Sequence, residues 1–166
     1  ARDQTSSFMG SIEMRNPLLS KKLKQTKTRL LIIDDNQIRF NQIFDLFNLH
    51  EHQVEAILLD DLNSFEKQLH TAWDVVIFGR AYDLRLEQAL SLIHASTQPH
   101  LPVLLLCPED YNEAQYSRYL HKGIYDVVGL DTPDHFYLSL VRALSFSRLE
   151  QNQAYLLNEL ETVHNH

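Results

Sequence analysis

From Arg29 onward, short apolar runs recur with polar, helix-spaced stretches between them. Leu30–Ile33 ends at Asp34 and Asp35, and Val54–Leu59 is a second run. Val75–Phe78 stops at Gly79, Val103–Leu106 stops just before Pro108, and Ile124–Val128 is the fifth. Unbroken apolar runs of this length read as strands buried on both faces. Between the first two, Phe40, Ile43, Phe44 and Phe47 keep helical spacing behind Asn36, a good helix cap. Leu62–Leu69, Leu84–Ile93 (Leu86, Leu90 and Ile93 inward) and Asp110–Lys122 read as further helices, with Gly123 placed to cap the last. Pro133 suits the start of another helix, continued by Phe136–Leu144. Five strands alternating with helices predict an α/β fold, a parallel sheet covered on both faces. Sites in such sheets lie beyond the carboxyl ends of the strands, at Asp34, Asp35, Gly79, Cys107, Gly129 and Leu130.

The flanks differ from this body. Residues 1–28 show no periodicity beyond a short helical stretch near Leu18–Leu23 and read as a flexible leader. At the other end, Phe146, Leu149, Gln153, Leu156, Leu160 and Val163 are spaced alternately three and four apart, a heptad seam with one polar interruption. The seam predicts a linker helix over 148–166 that pairs with a second copy as a parallel coiled coil. The competing reading is a helix folded back on its own domain. Two to three heptads are short for independent stability, so pairing needs help from the 29–147 body.

Composition narrows the function. The 166 residues suit one domain with extra length, and 44% hydrophobic residues suffice for a core. There is neither a long apolar span nor a signal-peptide core, so membrane insertion is not expected. Cys107 is the only cysteine, which excludes an internal disulfide and fits a cytoplasmic location. Net charge is −7, yet residues 1–28 carry six Lys and Arg against two acids, so the acidic excess lies in the body. An acidic body argues against nucleic acid as a partner.

The segments RLLIIDDNQ, WDVVIFG, LPVLLLCP and GIYDVVGLDTP resemble, in content and order, the receiver domain of bacterial response regulators. The resemblance spans about Arg29 to Leu144. It implies a flavodoxin-like sheet of order 2-1-3-4-5 with an extended C-terminal helix. It also implies a site of an acidic pair, an acceptor aspartate, a hydroxyl residue and a lysine, which together hold magnesium and receive a phosphoryl group. Here Asp34 and Asp35 match the acidic pair. The acceptor position falls on Gly79, the hydroxyl on Cys107, the lysine on Leu130 and the aromatic switch position on Val127. Glycine offers no carboxylate for acyl phosphate, and leucine cannot neutralise a phosphate. With one carboxylate missing, magnesium affinity should fall. The acidic pair then either caps the first helix in water or keeps a metal role.

The degenerate pattern, the run TAWDVVI and the linker-like terminal helix are further similar to the N-terminal receiver of cyclic-di-GMP signalling proteins of receiver–PAS–GGDEF–EAL organisation. Those proteins support type IV pilus assembly and twitching motility. The combined expectation is a non-enzymatic, cofactor-free pseudo-receiver that forms a homodimer and contacts signalling or pilus proteins. Tyr116, Tyr119, Tyr125, Phe146, Leu149, Leu156, Leu160 and Val163 are the candidate interface. The alternative is a small-molecule or unconventional phosphoryl switch built on the residual acidic pair.

Overall fold

A computed structural model describes residues 27–164, with side chains described through Glu150. The leader reading over 1–26, and the side chains of Gln153, Leu156, Leu160 and Val163, lie outside the described residues.

The elements alternate as β1 (Thr28–Ile33), α1 (Gln37–Leu49), β2 (Val54–Leu59), α2 (Leu62–Gln68), β3 (Val75–Phe78), α3 (Leu86–His94), β4 (Val103–Leu106), α4 (Glu113–Lys122), β5 (Asp126–Val128) and α5 (Pro133–His164). All strand pairs are parallel, in the order β2-β1-β3-β4-β5. This is the flavodoxin-like order that the resemblance implied.

The period-two geometry of the strands divides the core into two layers. Leu31, Ile33, Val76, Phe78 and Leu105 face the α2–α3–α4 side, where Phe65, Trp73, Ala89 and Ile93 meet them. Leu30, Ile32, Val75, Ile77 and Leu104 face α1 and α5 and pack on Ile43, Phe47, Phe136, Tyr137 and Leu144. β3 and β4 are buried at every position, which is why their sequences lack alternation. Each such large side chain contributes about 1.5–3 kcal/mol on burial.

Local chemistry sets the element ends. The Asn36 side chain accepts from the backbone N–H of Ile38 and Arg39 and starts α1. Asn112 does the same for α4 through Gln115, so that helix begins at Glu113 rather than Asp110. Gly123 ends it with φ +111°, a left-handed conformation that glycine adopts freely. β5 is only three residues long and β1 begins at Thr28, one residue inside the stretch assigned to the leader. On α1 the buried face is Ile43, Leu46 and Phe47, while Phe44 is exposed, a rotation of the stripe from the predicted one. Leu84 precedes α3 as buried loop, and Leu86, Ala89 and Ile93 form the helix's buried side. α5 continues unbroken through His164, far past the sheet it covers.

Candidate functional site

The strand order reverses at the β1–β3 boundary, and the carboxyl ends there form the switch point at which such sheets hold sites. Main-chain ladders carry the key residues to it. The Asp34 N–H donates to Leu59 O at 3.0 Å, Asp35 N–H to Arg80 O at 2.8 Å and Gly79 N–H to Ile33 O at 2.7 Å. On the far side, Cys107 N–H donates to Val128 O at 2.7 Å.

Asp34 is buried at 1% exposure, which corrects the reading that both acids face water. A buried carboxylate needs a counter-charge and donors. Both come from α1. The Arg39 Nε donates to Asp34 Oδ2 at 2.7 Å, and Nη2 donates to Asp34 Oδ1 at 2.6 Å and Asp35 Oδ1 at 3.3 Å. The Asn36 N–H adds a bond to Asp34 Oδ1 at 3.0 Å. This fork on one carboxylate is the strongest ordinary ion-pair geometry. The bond to Asp34 raises the Arg39 guanidinium above its usual pKa. Partial burial opposes the shift, while the charges of Asp34, Asp35 and Glu109 reinforce it. An arginine in the first turn also meets an unfavourable helix dipole, which the two acids beside it offset.

Gly79 completes the arrangement. A Cβ placed there would overlap the Asp34 carboxylate, at 2.9 Å from its carboxyl carbon and 3.1 Å from Leu106 Cδ1. Glycine is therefore required for room, so that Asp34 can lie across the end of β3. The residues do not fit a magnesium site. A guanidinium holds both acids, the third carboxylate is absent, and the described residues contain no cluster of three or more His, Cys, Asp or Glu able to hold a metal.

The other matched positions carry no polar function beside the acidic pair. Cys107 is exposed rather than packed, and partial desolvation followed by the Asp131 charge raises its thiol pKa, which keeps it a poor nucleophile. Leu130 packs on the α1–α5 layer beside Leu46, Pro133 and Phe136. Val127 is buried in the opposite layer. At the start of α3, Gln88 Oε1 accepts from Arg85 N–H at 3.0 Å, and just before it Asp83 forms a backbone β-bridge with Asp61.

A second group lies along α4, β5 and α5. Tyr116 donates its hydroxyl to Asp126 Oδ1 at 3.0 Å, and Asp126 also accepts from Val127 N–H at 2.8 Å and from the Ser139 hydroxyl. Tyr125 meets Phe146 at 6.0 Å between ring centres, and Tyr119 meets Tyr111 at 6.3 Å. Burial, and for Tyr116 the bond to Asp126, raises the pKa of Tyr111, Tyr116 and Tyr125. Tyr116 and Phe146 are partly exposed, and Leu149 is 56% exposed. The structure thus brings Tyr125 and Phe146 together and ties Tyr116 to β5 through Asp126, while Tyr119 packs with Tyr111.

Two features escaped the sequence reading. Arg39 is one; its spacing four residues after Asp35 was a usable signal. The other is His52, buried with Nε2 2.7 Å from Thr28 Oγ1 and Nδ1 2.9 Å from the Tyr137 hydroxyl. Its neighbour His50 stacks on Tyr137 at 3.7 Å.

A family model described as "Flagellar regulatory protein FleQ" matches residues 29–147. Comparison with curated proteins gave no match. Among solved structures, a response regulator receiver domain protein from Clostridium thermocellum is 19% identical, with a TM-score of 0.60, over 74% of this chain and 98% of that one. The receiver domain of the sensor histidine kinase PA1611 from Pseudomonas aeruginosa, described with magnesium in its active-site cleft, is 15% identical. Its TM-score is 0.58, over 72% of this chain and 99% of that one. NtrX from Brucella abortus is 20% identical, with a TM-score of 0.63, over 79% of this chain and 30% of that one. These likenesses establish the receiver fold.

Proposed function

The chain belongs to the family described as flagellar regulatory protein FleQ, and we propose that it is a signal-transduction receiver module that works without phosphorylation, through protein–protein contact. One observation carries this reading: the Asp34 carboxylate, paired with Arg39, lies where any side chain at Gly79 would have to start. An acyl phosphate needs a carboxylate nucleophile at the end of β3 and a cation beside it. Glycine provides no nucleophile, and Arg39 already pairs with both acids. The same pairing weakens the alternative of a phosphoryl or small-molecule switch on Asp34 and Asp35.

Contact is then the remaining role. α5 extends beyond the body, and Phe146 and Leu149 present apolar surface where it departs. We read this stretch as the dimerisation element that sets the spacing of attached signalling domains. A place in cyclic-di-GMP and type IV pilus control is proposed on the sequence resemblance of the run TAWDVVI and the linker-like terminal helix alone. No helix among the described residues is long and apolar enough to cross a membrane.

The test joins two measurements. Amide NMR with magnesium and beryllofluoride should show no shifts at Asp34, Asp35, Gly79 or Cys107; saturable shifts there would remove the phosphorylation-independent reading. Sedimentation velocity should show a dimer for the full chain that weakens when it ends at Ser147. A monomer at high micromolar concentration would remove the pairing role.

A further inference from the structure

At the opposite, amino end of the sheet, a cleft of about 820 Å³ separates the start of β1 and the loops before β3 and β4 from α5. Its walls include Lys27, Arg29, Trp73, Gln98, His100 and Arg148. The Trp73 ring is buried at the base of the wall, and the Arg29 guanidinium lies over its face at 4.3 Å from the ring centre. The Gln98 amide is fixed by Thr71 O at 2.6 Å, and its oxygen accepts from Trp73 N–H at 3.0 Å. Arg148 differs from these anchored groups. Its Nη2 is buried yet has no hydrogen-bond acceptor among the described residues, and the nearest carboxylate, Asp74 Oδ2, lies 3.6 Å away. Asp74 Oδ2 already accepts from Arg29 N–H at 2.8 Å.

A buried donor of a charged group without an acceptor is rare and calls for one. Within the walls, Lys27, Arg29 and Arg148 outnumber Asp74 and Glu150, on a chain whose net charge is −7. Concave sites with an apolar wall and few converging polar groups are where small ligands bind. We propose that this cleft binds a small organic anion, its flat apolar body over the Arg29–Trp73 stack beside Pro99 and its acidic group accepting from Arg148. The site is separate from the carboxyl-end switch point, and one wall is the segment of α5 that leaves the body, so an occupant would stiffen the base of that helix.

Trp73 is the only tryptophan, which gives a site-specific readout. The probe is anilinonaphthalene sulfonate, added to the full chain, with energy transfer from Trp73 followed to saturation. Two variants test the assignment, with circular dichroism confirming each fold: Arg148→Met, which removes the donor, and Thr97→Glu, which adds an acid on the exposed rim. Each should weaken binding about tenfold, as loss of a charged hydrogen bond or addition of a like charge predicts. If Arg148→Met does not fold, Thr97→Glu decides alone. N-phenylnaphthylamine, which has the same rings without the sulfonate, should bind more weakly and ignore both changes. Absence of saturable transfer, wild-type affinity in the folded variants, or equal binding of the neutral analogue would each overturn the proposal.

Discussion

At the carboxyl end of the sheet, the buried charge of Asp34 is met by Arg39, five residues away, through bonds of 2.6 and 2.7 Å. At the amino end, buried Asp74 takes the Arg29 N–H from 45 residues away and the Arg148 guanidinium at 3.6 Å from α5. The first pair forms as soon as one turn of α1 is in place. The second exists only when β1, the β3 approach and α5 are all assembled. Local pairing produces a fixed feature that resists rearrangement. Pairing across distant elements produces a place where the position of α5 and the charge state of the cleft depend on each other.

The largest expected effect comes from breaking the local pair. Arg39→Ala leaves Asp34 buried and uncompensated and should lower stability by about 3 kcal/mol in urea denaturation. A loss below about 1 kcal/mol would show that Asp34 escapes to water. Gly79→Ala should cost about 2 kcal/mol through overlap with the Asp34 carboxylate. Gly79→Asp should likewise fail to take up phosphate from acetyl phosphate, and radiolabel on that variant would show that the pair can open. At the other end, Arg148→Met should cost about 1 to 2 kcal/mol, less than Arg39→Ala because its ion pair is looser.

Alkaline titration gives a smaller, graded contrast. Tyr111, Tyr116 and Tyr125 have pKa values raised in the fold, so the folded state holds their protons more tightly than the unfolded chain. That contribution is complete below the ordinary tyrosine range near about pH 10 and is lost as pH rises through the folded values. Phenolate absorbance should therefore show part of the seven-tyrosine signal titrating late, coincident with unfolding. A single ordinary step would contradict it. Smallest of all, the exposed Lys122–Glu87 pair at 3.1 Å should show a coupling of about 0.3 kcal/mol in a double-mutant cycle.

How much was legible in the sequence follows the same division between local and distant. The central strands announced themselves because both faces are buried, and Asn36 and Gly123 worked as signals because capping is decided within a few residues. The orientation of α1 was not legible. Phe44 and Leu46 are both apolar, and only the positions of β1 and α5 decide which is covered. The missing carboxylate at Gly79 could be read by position, but the reason for glycine could not, since it depends on where the Asp34 side chain lies. Cys107 could be placed at the hydroxyl position, but its exposure could not be read, since the loop after β4 turns it outward. The cleft joins four separate segments and left no local trace.

α5 carries a further consequence. Its first half is clamped to the sheet by Phe136, Tyr137, Leu140 and Leu144, and its backbone stays helical to His164. A clamped helix is a keyed shaft, since each residue along it advances about 1.5 Å and turns about 100°. Adding one residue after Ser147 would swing anything mounted on the shaft a little over a quarter turn. Adding seven would restore the original bearing to within about 20° while lengthening the reach by about 10 Å. Along such a helix, phase changes faster with each residue than distance does.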